Sequence, residues 1–553
     1  VLGIEINPYA AELARVSVWI GEIQWMRRNG FEAAKNPILR RLETIENRDA
    51  VLAPDGTRAE WPKADVVVGN PPFLGSKLML ERLGAGYTSR LRAILPSDAP
   101  AVNLVTYWFF QAGYAVKNGA KRVGFVATNM VRSPANIALA KDLYDLAPIR
   151  VAWGDEPWVV DGASVRVSLI VCASEWHGTS RLDGKEVAKI NSDLKALSVD
   201  LGLKKLLVEN RKRAVRGVEK GGPFELSRIE AQAMLAMPLN PNGRPNGETV
   251  RRYLTVSDIV GRGDDGWIVD FFGLEEAAAS LFEAPFALVQ QRVQSTRAGN
   301  REARQVSKWW LFRRSGEQAR DVLAGKMRVL TTGLVTKHRV FRWHYTPMVP
   351  DTRVILIDTE DDLVFGVLSS RMHELWTLST CQFHGVGNDP VYTPSDCFET
   401  FPFPQGLTPN LPAAAYAADP RAQKIAAAAA RLNELREAWL NPPDLVKRVP
   451  EVVPGYPDRL LPVSPEAAAV LKKRTLTNLY NARPAWLAHA HAALDEAVAE
   501  AYGWGDDWRA GLMTDDEILA RLFVLNQARA AIAPAPPPAA PRGPSAPPDP
   551  CCG

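Results

Sequence analysis

Asp65-Val66-Val67-Val68-Gly69 climbs out of a charged segment and stops at Asn70-Pro71-Pro72-Phe73. A β-branched run bounded in this way reads as a buried strand. The two prolines forbid its continuation, because each fixes φ and removes a backbone donor. The chain is thereby committed to a strand with a rigid polar turn at its carboxyl end, which is where open α/β sheets place their chemistry. The turn keeps its carbonyl acceptors and the Asn70 amide oxygen, with the Phe73 ring alongside. Such a site suits a planar amine: both hydrogens are accepted while the ring stacks, which frees the nitrogen lone pair for an electrophile. Asn and Pro also favour ordinary turns, and the chain holds 42 prolines. Average residue usage nevertheless gives such a string a chance of only about one percent in a chain this long.

The surrounding sequence keeps an α/β rhythm. Gly3-Ile4-Glu5-Ile6 reads as a strand end, followed by a helix over 7–26 with Asn7 as N-cap and Pro8 at its first position. Leu13, Val16, Ile20 and Ile23 recur at helical spacing along it. A further helix is expected over 103–116, a buried strand over 123–128, a helix opened by Ser133-Pro134, and strands over 149–153 and 165–173, so that the sheet ends near residue 175. Leu83-Gly84-Ala85-Gly86 contains a Gly-x-Gly with no strand before it and reads as a loop.

At Asn70-Pro71-Pro72-Phe73 the chain resembles the amino-methyltransferases that use S-adenosyl-L-methionine, above all the DNA adenine-N6 type. The resemblance implies an α/β fold with a Rossmann-like class I methyltransferase sheet. It assigns the catalytic role to Asn70, Pro71, Pro72 and Phe73, and cofactor contacts to Glu5, Asp49 and Asn70. Glu5 resembles the acid that takes ribose hydroxyls in nucleotide-binding units, and Asp49 matches the position that faces the cofactor's adenine. The glycine-rich turn that such a fold places ~20 residues before the ribose acid is not found ahead of Glu5. The chain opens without methionine, inside what should be the second strand, and is read as the N-terminally truncated part of a longer protein. The motif also occurs in methyltransferases of protein glutamine or RNA guanine. Cytosine-N4 enzymes more often carry Ser at the place of Asn70, and a DNA-binding fragment without catalysis is a further alternative.

Length supports roughly three to four domains. Five cysteines, two of them adjacent at Cys551 and Cys552, show neither disulfide density nor zinc spacing, which suggests a reducing cytoplasm. No apolar run reaches the ~18 residues of a membrane span, so no membrane partner is expected.

The formal charge of +4 is mild, but its distribution is not. Residues 291–342 hold thirteen Lys or Arg against three acids, interleaved with Trp309, Trp310, Phe312, Phe341 and Trp343. This pattern resembles a nucleic-acid surface, where cations neutralise phosphates. The expected DNA-binding residues are Arg292, Arg297, Arg301, Arg304, Lys308, Arg313, Arg314, Lys337, Arg339 and Arg342. The competing reading is a solvated basic face with its tryptophans in a local core. The strings Tyr253-Leu254-Thr255-Val256-Ser257-Asp258-Ile259, Lys308-Trp309-Trp310-Leu311-Phe312, residues 365–376 and Cys397-Phe398-Glu399-Thr400-Phe401-Pro402-Phe403-Pro404 look like the target-recognition domain of MmeI-like DNA methyltransferases. That resemblance implies double-stranded DNA as partner and a place in restriction-modification or phage defence. Some members fuse a nuclease or helical spacer upstream.

The expected layout is a catalytic domain over 1–180, a charged connector over 181–220, an α+β target-recognition domain over 221–407, a helical domain over 408–530 and a disordered Pro/Ala-rich tail over 531–553. Ser464-Pro465 starts one of the helices and Thr514-Asp515-Asp516-Glu517 is a capping box for another. His373-Glu374 opens like a metalloprotease helix, but Thr377 stands where the second histidine should be. His489 and His491 lie in an alanine-rich helix, and no catalytic metal is expected.

Overall fold

The computed structural model describes residues 1–31, 44–97, 99, 101–160, 163–263, 265–300, 302–384, 389–451 and 456–532. The chain folds as two compact units, Val1–Leu203 and a second that begins at Lys204. The tail from Ala533, including Cys551 and Cys552, lies outside the described residues.

In the first unit, β1 (Gly3–Glu5) leads through Asn7 into α1 (Pro8–Arg28). Asn7 caps α1 as expected, its side-chain oxygen accepting the Tyr9 and Ala10 N–H groups. The apolar stripe of α1 behaves otherwise. Leu13, Val16 and Ile20 are exposed, and Ala11 is the buried residue of the helix. Among the described residues, β1 pairs in parallel with β2 (Ile45–Asn47) in a two-stranded sheet.

The main sheet is six-stranded. It comprises β3 (Val66–Gly69), β4 (Arg122–Thr128), β5 (Ile149–Val160), β6 (Ala163–Ala173), β7 (Ser180–Leu182) and β8 (Lys185–Val187), in the order β3-β4-β6-β5-β7-β8. β3 and β4 run parallel, β6 is inserted antiparallel between β4 and β5, and β5 pairs parallel with β7. The sheet is therefore mixed, and it continues past residue 180 through the β7–β8 hairpin. Four helices accompany the strands: α2 (Ser76–Leu83), α3 (Ala85–Ala93), α4 (Leu104–Lys117) and α5 (Pro134–Leu146). Leu83-Gly84-Ala85-Gly86 is not a loop. Gly84 alone turns the chain, at φ +81°, and Ala85 already opens α3. Ser133 sits at the N-cap of α5 but makes no side-chain cap bond. Val105, Phe109 and Ala112 of α4 pack with Val123, Phe125 and Ala127 of β4 and Ile170 of β6 in one core.

In the second unit, β9 (Ala214–Arg216), β10 (Glu225–Leu226), β11 (Val250–Leu254), β12 (Trp267–Val269), β13 (Arg328–Gly333), β14 (Arg342–Tyr345), β15 (Val349–Pro350) and β16 (Val354–Ile357) build two four-stranded sheets, β10-β12-β11-β15 and β14-β13-β16-β9. The stretch read as a charged connector thus supplies β9, paired antiparallel with β16. Helices Pro420–Leu440, Pro465–Lys473, Ala485–Ala501 and Asp515–Ile532 belong to this same unit. Ser464 caps the second of them by accepting the Ala467 N–H, and Thr514 accepts the Glu517 N–H at the start of the last.

His373 is wholly buried against Phe341 and Phe401, with its ring nitrogens on the Leu368 carbonyl and the Tyr392 hydroxyl. Burial disfavours the imidazolium and lowers its pKa from 6.5 to about 3. A pKa that is lower in the fold than in the unfolded chain contributes stability that is complete above about pH 6.5 and drains away as pH falls. Urea unfolding between pH 6.5 and 4.5 is expected to lose about 1.4 kcal/mol per pH unit from this residue. The His373→Gln variant should show a correspondingly shallower pH slope, and an unchanged slope would contradict the assignment.

Candidate functional site

The Asn70 turn leaves the sheet at the carboxyl end of β3, whose register with β4 pairs Gly69 with Phe125. A side chain at position 69 would meet the Phe125 ring at 3.3 Å, so glycine there allows the close approach. Beyond the turn the backbone is pinned from α4. Asn103 accepts the Ser76 N–H at 3.1 Å, and the Leu104 N–H donates to the Leu74 carbonyl at 2.9 Å. Pro71 is buried, Phe73 is half-buried, and Asn70 and Pro72 are exposed. The Asn70 amide makes no side-chain hydrogen bond among the described residues.

The turn opens onto a cavity of about 920 Å³ within the first unit. It is lined by β3 with Asn70, Pro71 and Pro72, by β1 with Glu5, and by Asp49, Tyr87, Trp108 and Phe125 among others. Among the described residues, β1 is paired with β2 and β3 with β4, each on one side. The structure thus brings Glu5, Asp49 and Asn70 to one hollow, although they are far apart in the chain. Phe73, expected beside them as a stacking face, is not among the residues that line it.

Each acid is held by its own local chemistry. One Glu5 carboxylate oxygen accepts the Asn7 N–H at 2.8 Å, and Asn47 donates to the Glu5 and Ile6 carbonyls, tying the end of β1 to the end of β2. Asp49 folds its own loop: Oδ1 accepts the Val51 and Leu52 N–H groups at 2.7 and 3.2 Å, and Oδ2 accepts the Tyr87 hydroxyl at 2.6 Å. Buried Gln111 of α4 donates to the Ala50 and Ala59 carbonyls, and Trp61 donates to the Ala50 carbonyl, so the loop is clamped from behind. The Tyr87 pKa is raised by burial and by the bond to Asp49, which keeps the phenol protonated as a donor. Tyr87, Trp108 and Gln111 carried no signal in the sequence, because a single aromatic or amide on a helix shows no diagnostic spacing.

The residues expected to meet DNA divide sharply. Arg301 lies outside the described residues. Arg297 is 1% exposed and donates to the carbonyls of Lys220, Gly221, Trp309 and Leu311. Arg339 is also buried, bonded to Thr332, Gly333 and Pro390 and stacked over Tyr392. Their guanidinium groups are spent inside the fold, which corrects the expectation of an outward role. Arg342 pairs with Glu437 at 2.9 Å and donates to the Asp258 and Gly261 carbonyls; Arg313 bridges Glu219 and Glu302; Arg292 pairs with Glu230. Lys308 reaches Glu275 only at 3.5 Å, and Arg314, with 77% of its side chain exposed, reaches Glu219 at 3.3 Å. Arg304 and Lys337 are exposed. The interleaved aromatics Trp309, Trp310, Phe312, Phe341 and Trp343 are all buried, so the local-core reading holds for them. His373 is likewise a core histidine, and among the described residues no group of His, Cys, Asp or Glu could hold a metal ion.

Residues 1–171 match the family model described as MmeI, DNA-methyltransferase domain. The first unit carries an MmeI-like methyltransferase domain. DNA methyltransferase A of Bacillus subtilis (strain 168) is 22% identical over 448 residues, which cover 73% of this chain and 47% of that protein. The chain therefore spans about half the length of this curated relative. A solved structure of the Type IIL restriction-modification enzyme MmeI in complex with DNA superposes with a TM-score of 0.65 at 18% identity, covering 96% of this chain and 66% of that one. The MmeI-like fold thus extends through both units, each of which has its counterpart within that coverage. No helix among the described residues is long and apolar enough to cross a membrane.

Arg297→Ala would strand four backbone carbonyls in the core of the second unit. Denaturant unfolding is expected to show a loss of about 3 kcal/mol or more, whereas Arg304→Ala on the surface should fall within about 0.5 kcal/mol of the parent.

Proposed function

We propose that this chain methylates the N6 amino group of adenine in double-stranded DNA, with S-adenosyl-L-methionine as donor, within a restriction-modification or phage-defence system. The observation that carries the reading is the single cavity onto which Asn70, Glu5 and Asp49 converge. Its volume of about 920 Å³ is in the range of pre-formed small-molecule sites. The donor set fits the cofactor: Glu5 keeps a carboxylate oxygen for ribose hydroxyls, and Asp49 keeps an acceptor position for an adenine amine. The β3-β4-β6-β5 order, with β6 antiparallel, agrees with a Rossmann-like class I methyltransferase sheet.

The bound cofactor supplies an electrophilic methyl group on sulfur. The chain's own residues do the positioning. A target adenine is out of reach inside the duplex and must be extruded into the cavity. The unspent Asn70 amide oxygen and the Pro71 carbonyl accept the two N6 hydrogens, and the prolines hold these acceptors rigid. With both hydrogens engaged, the nitrogen lone pair is turned toward the methyl; the C–N bond would form as the methyl C–S bond breaks, the sulfur leaving as a neutral thioether and one N6 proton passing to solvent. Phe73, half-buried just past the turn, is the residue proposed to supply an aromatic face for the base.

Duplex DNA incubated with the full chain and cofactor should yield N6-methyladenine on nucleoside mass spectrometry. N4-methylcytosine would move the reading to the cytosine enzymes, and no methylated nucleoside beside intact DNA binding would make the chain a catalytically incomplete DNA-binding fragment. Asn70→Ala is expected to cut turnover by ~100-fold or more and to leave DNA affinity within about twofold. Wild-type turnover in that variant would remove Asn70 from the mechanism.

For DNA contact the surviving candidates are Arg304, Arg314, Lys337 and Lys308, the cations that keep exposed charge. Each change of Arg304, Arg314 or Lys337 to Ala should weaken binding regardless of sequence and lower the slope of log affinity against log salt by about 1. Arg339→Met, if it folds, should leave that slope unchanged.

A further inference from the structure

We propose that Tyr87 is a positioning residue that converts Asp49 into a reader of the exocyclic amine of an adenine-bearing cofactor. This inference rests on the cofactor reading above and adds to it a residue on a different element. Asp49 stands in the loop after β2, whereas Tyr87 comes from α3, and the two meet only because Gly84 reverses the chain between α2 and α3 at φ +81°. α3 is fixed in that place by Leu91, which is fully buried, and by Thr88, whose hydroxyl donates to the Met79 carbonyl at 3.1 Å. The position of the phenol is therefore set by packing and not by the ligand.

The hydrogen-bond inventory defines what the pair can accept. A carboxylate offers about four lone-pair sites. The Val51 and Leu52 N–H groups take both on Oδ1, and the Tyr87 hydroxyl takes one on Oδ2. One acceptor site on Oδ2 remains. Because the Tyr87 proton is committed to Asp49, the phenol oxygen has only lone pairs left to present. Both residues line the cavity. What faces the hollow at this corner is thus a pair of acceptors 2.6 Å apart with no free donor. A ligand satisfies it only by bringing hydrogens. An NH2 on a purine does so, placing one N–H on Asp49 with the phenol oxygen beside it. A carbonyl at the same ring position would set its lone pairs against theirs. Once a ligand shields this half-buried pair from water, leaving it unmatched costs affinity, so the pair discriminates adenine from hypoxanthine. Without the phenol, Oδ2 regains the site that bond filled but loses the bond that aims it, and the corner loses its second acceptor atom.

The test uses the full chain and two probes, S-adenosylhomocysteine and S-inosylhomocysteine, titrated calorimetrically up to millimolar concentration. The parent should bind the adenosine compound ~10-fold or more tighter. Tyr87→Phe keeps the ring and removes the hydroxyl; it should weaken the adenosine compound by ~10-fold and change the inosine compound by less than about twofold, collapsing the preference. Asp49→Asn, which replaces an acceptor oxygen by a donor NH2, should collapse it as well. An unchanged melting temperature for Tyr87→Phe establishes that the effect is not unfolding. If the variant weakens both probes equally, or neither, Tyr87 is structural and the inference is wrong while the cofactor reading stands. If the parent binds both probes equally, the pair is not an amine reader. If the parent binds neither, the cofactor reading of the cavity falls, and this inference with it.

Discussion

The parallel pairing of Val66–Gly69 with Arg122–Phe125 is the constraint on which the site depends. It places the last residue of β3 beside Phe125, where only a glycine allows the backbones to keep their register without displacing the ring. The chain then meets two prolines, which supply neither the donors nor the freedom in φ that a further strand residue would need. The polar turn is thus a consequence of how the strand must end. Asn103 and Leu104 at the start of α4 tie down the segment that follows, so the turn is braced on both sides. Bracing of this kind fixes where the amide and carbonyl oxygens of the turn stand.

The acids of the cavity show the same economy. Glu5 and Asp49 each close a local turn with part of the carboxylate and leave the rest toward the hollow. Their positions are secured by neighbours: Asn47 for the end of β1, Gln111 and Trp61 for the loop after β2. Buried amides are suited to this work, since one side chain both donates and accepts, and satisfies several loop carbonyls that would otherwise be stranded.

In the second unit, electrostatics is redistributed by folding. The window 291–342 is strongly basic when counted along the chain, but Asp270, Asp358, Asp362, Glu219, Glu230 and Glu437 are brought to it from elsewhere. Arg320, Lys326 and Arg328 are neutralised in this way, as are Arg292, Arg313 and Arg342. Arg297 and Arg339 go further and replace missing secondary structure by capping carbonyls in the core. The planar guanidinium, with five donors in a fixed fork, is the side chain able to do so. Of the cations expected on the surface, Arg304, Arg314 and Lys337 remain exposed.

By itself the sequence determined the strand and turn around Asn70, though it read that strand as buried where Val66 and Val68 are exposed, the capped helix after Glu5, a helix read over 103–116 and found at Leu104–Lys117, and the strand ending at Thr128. These follow from local rules, namely proline geometry, caps and hydrophobic period, that act within a few residues. It also singled out Glu5, Asp49 and Asn70 as candidates, through a motif whose order is linear. Only the tertiary structure decided that these three share one hollow, that Tyr87 completes the Asp49 corner, that the stripe on α1 faces outward, and that 181–220 contributes a strand to the second unit. It alone separated structural from exposed arginines. The reason is physical: burial, pairing of charges and the spending of hydrogen-bond capacity depend on which distant segments meet, and a linear window contains no information about acids or carbonyls that arrive from a hundred residues away.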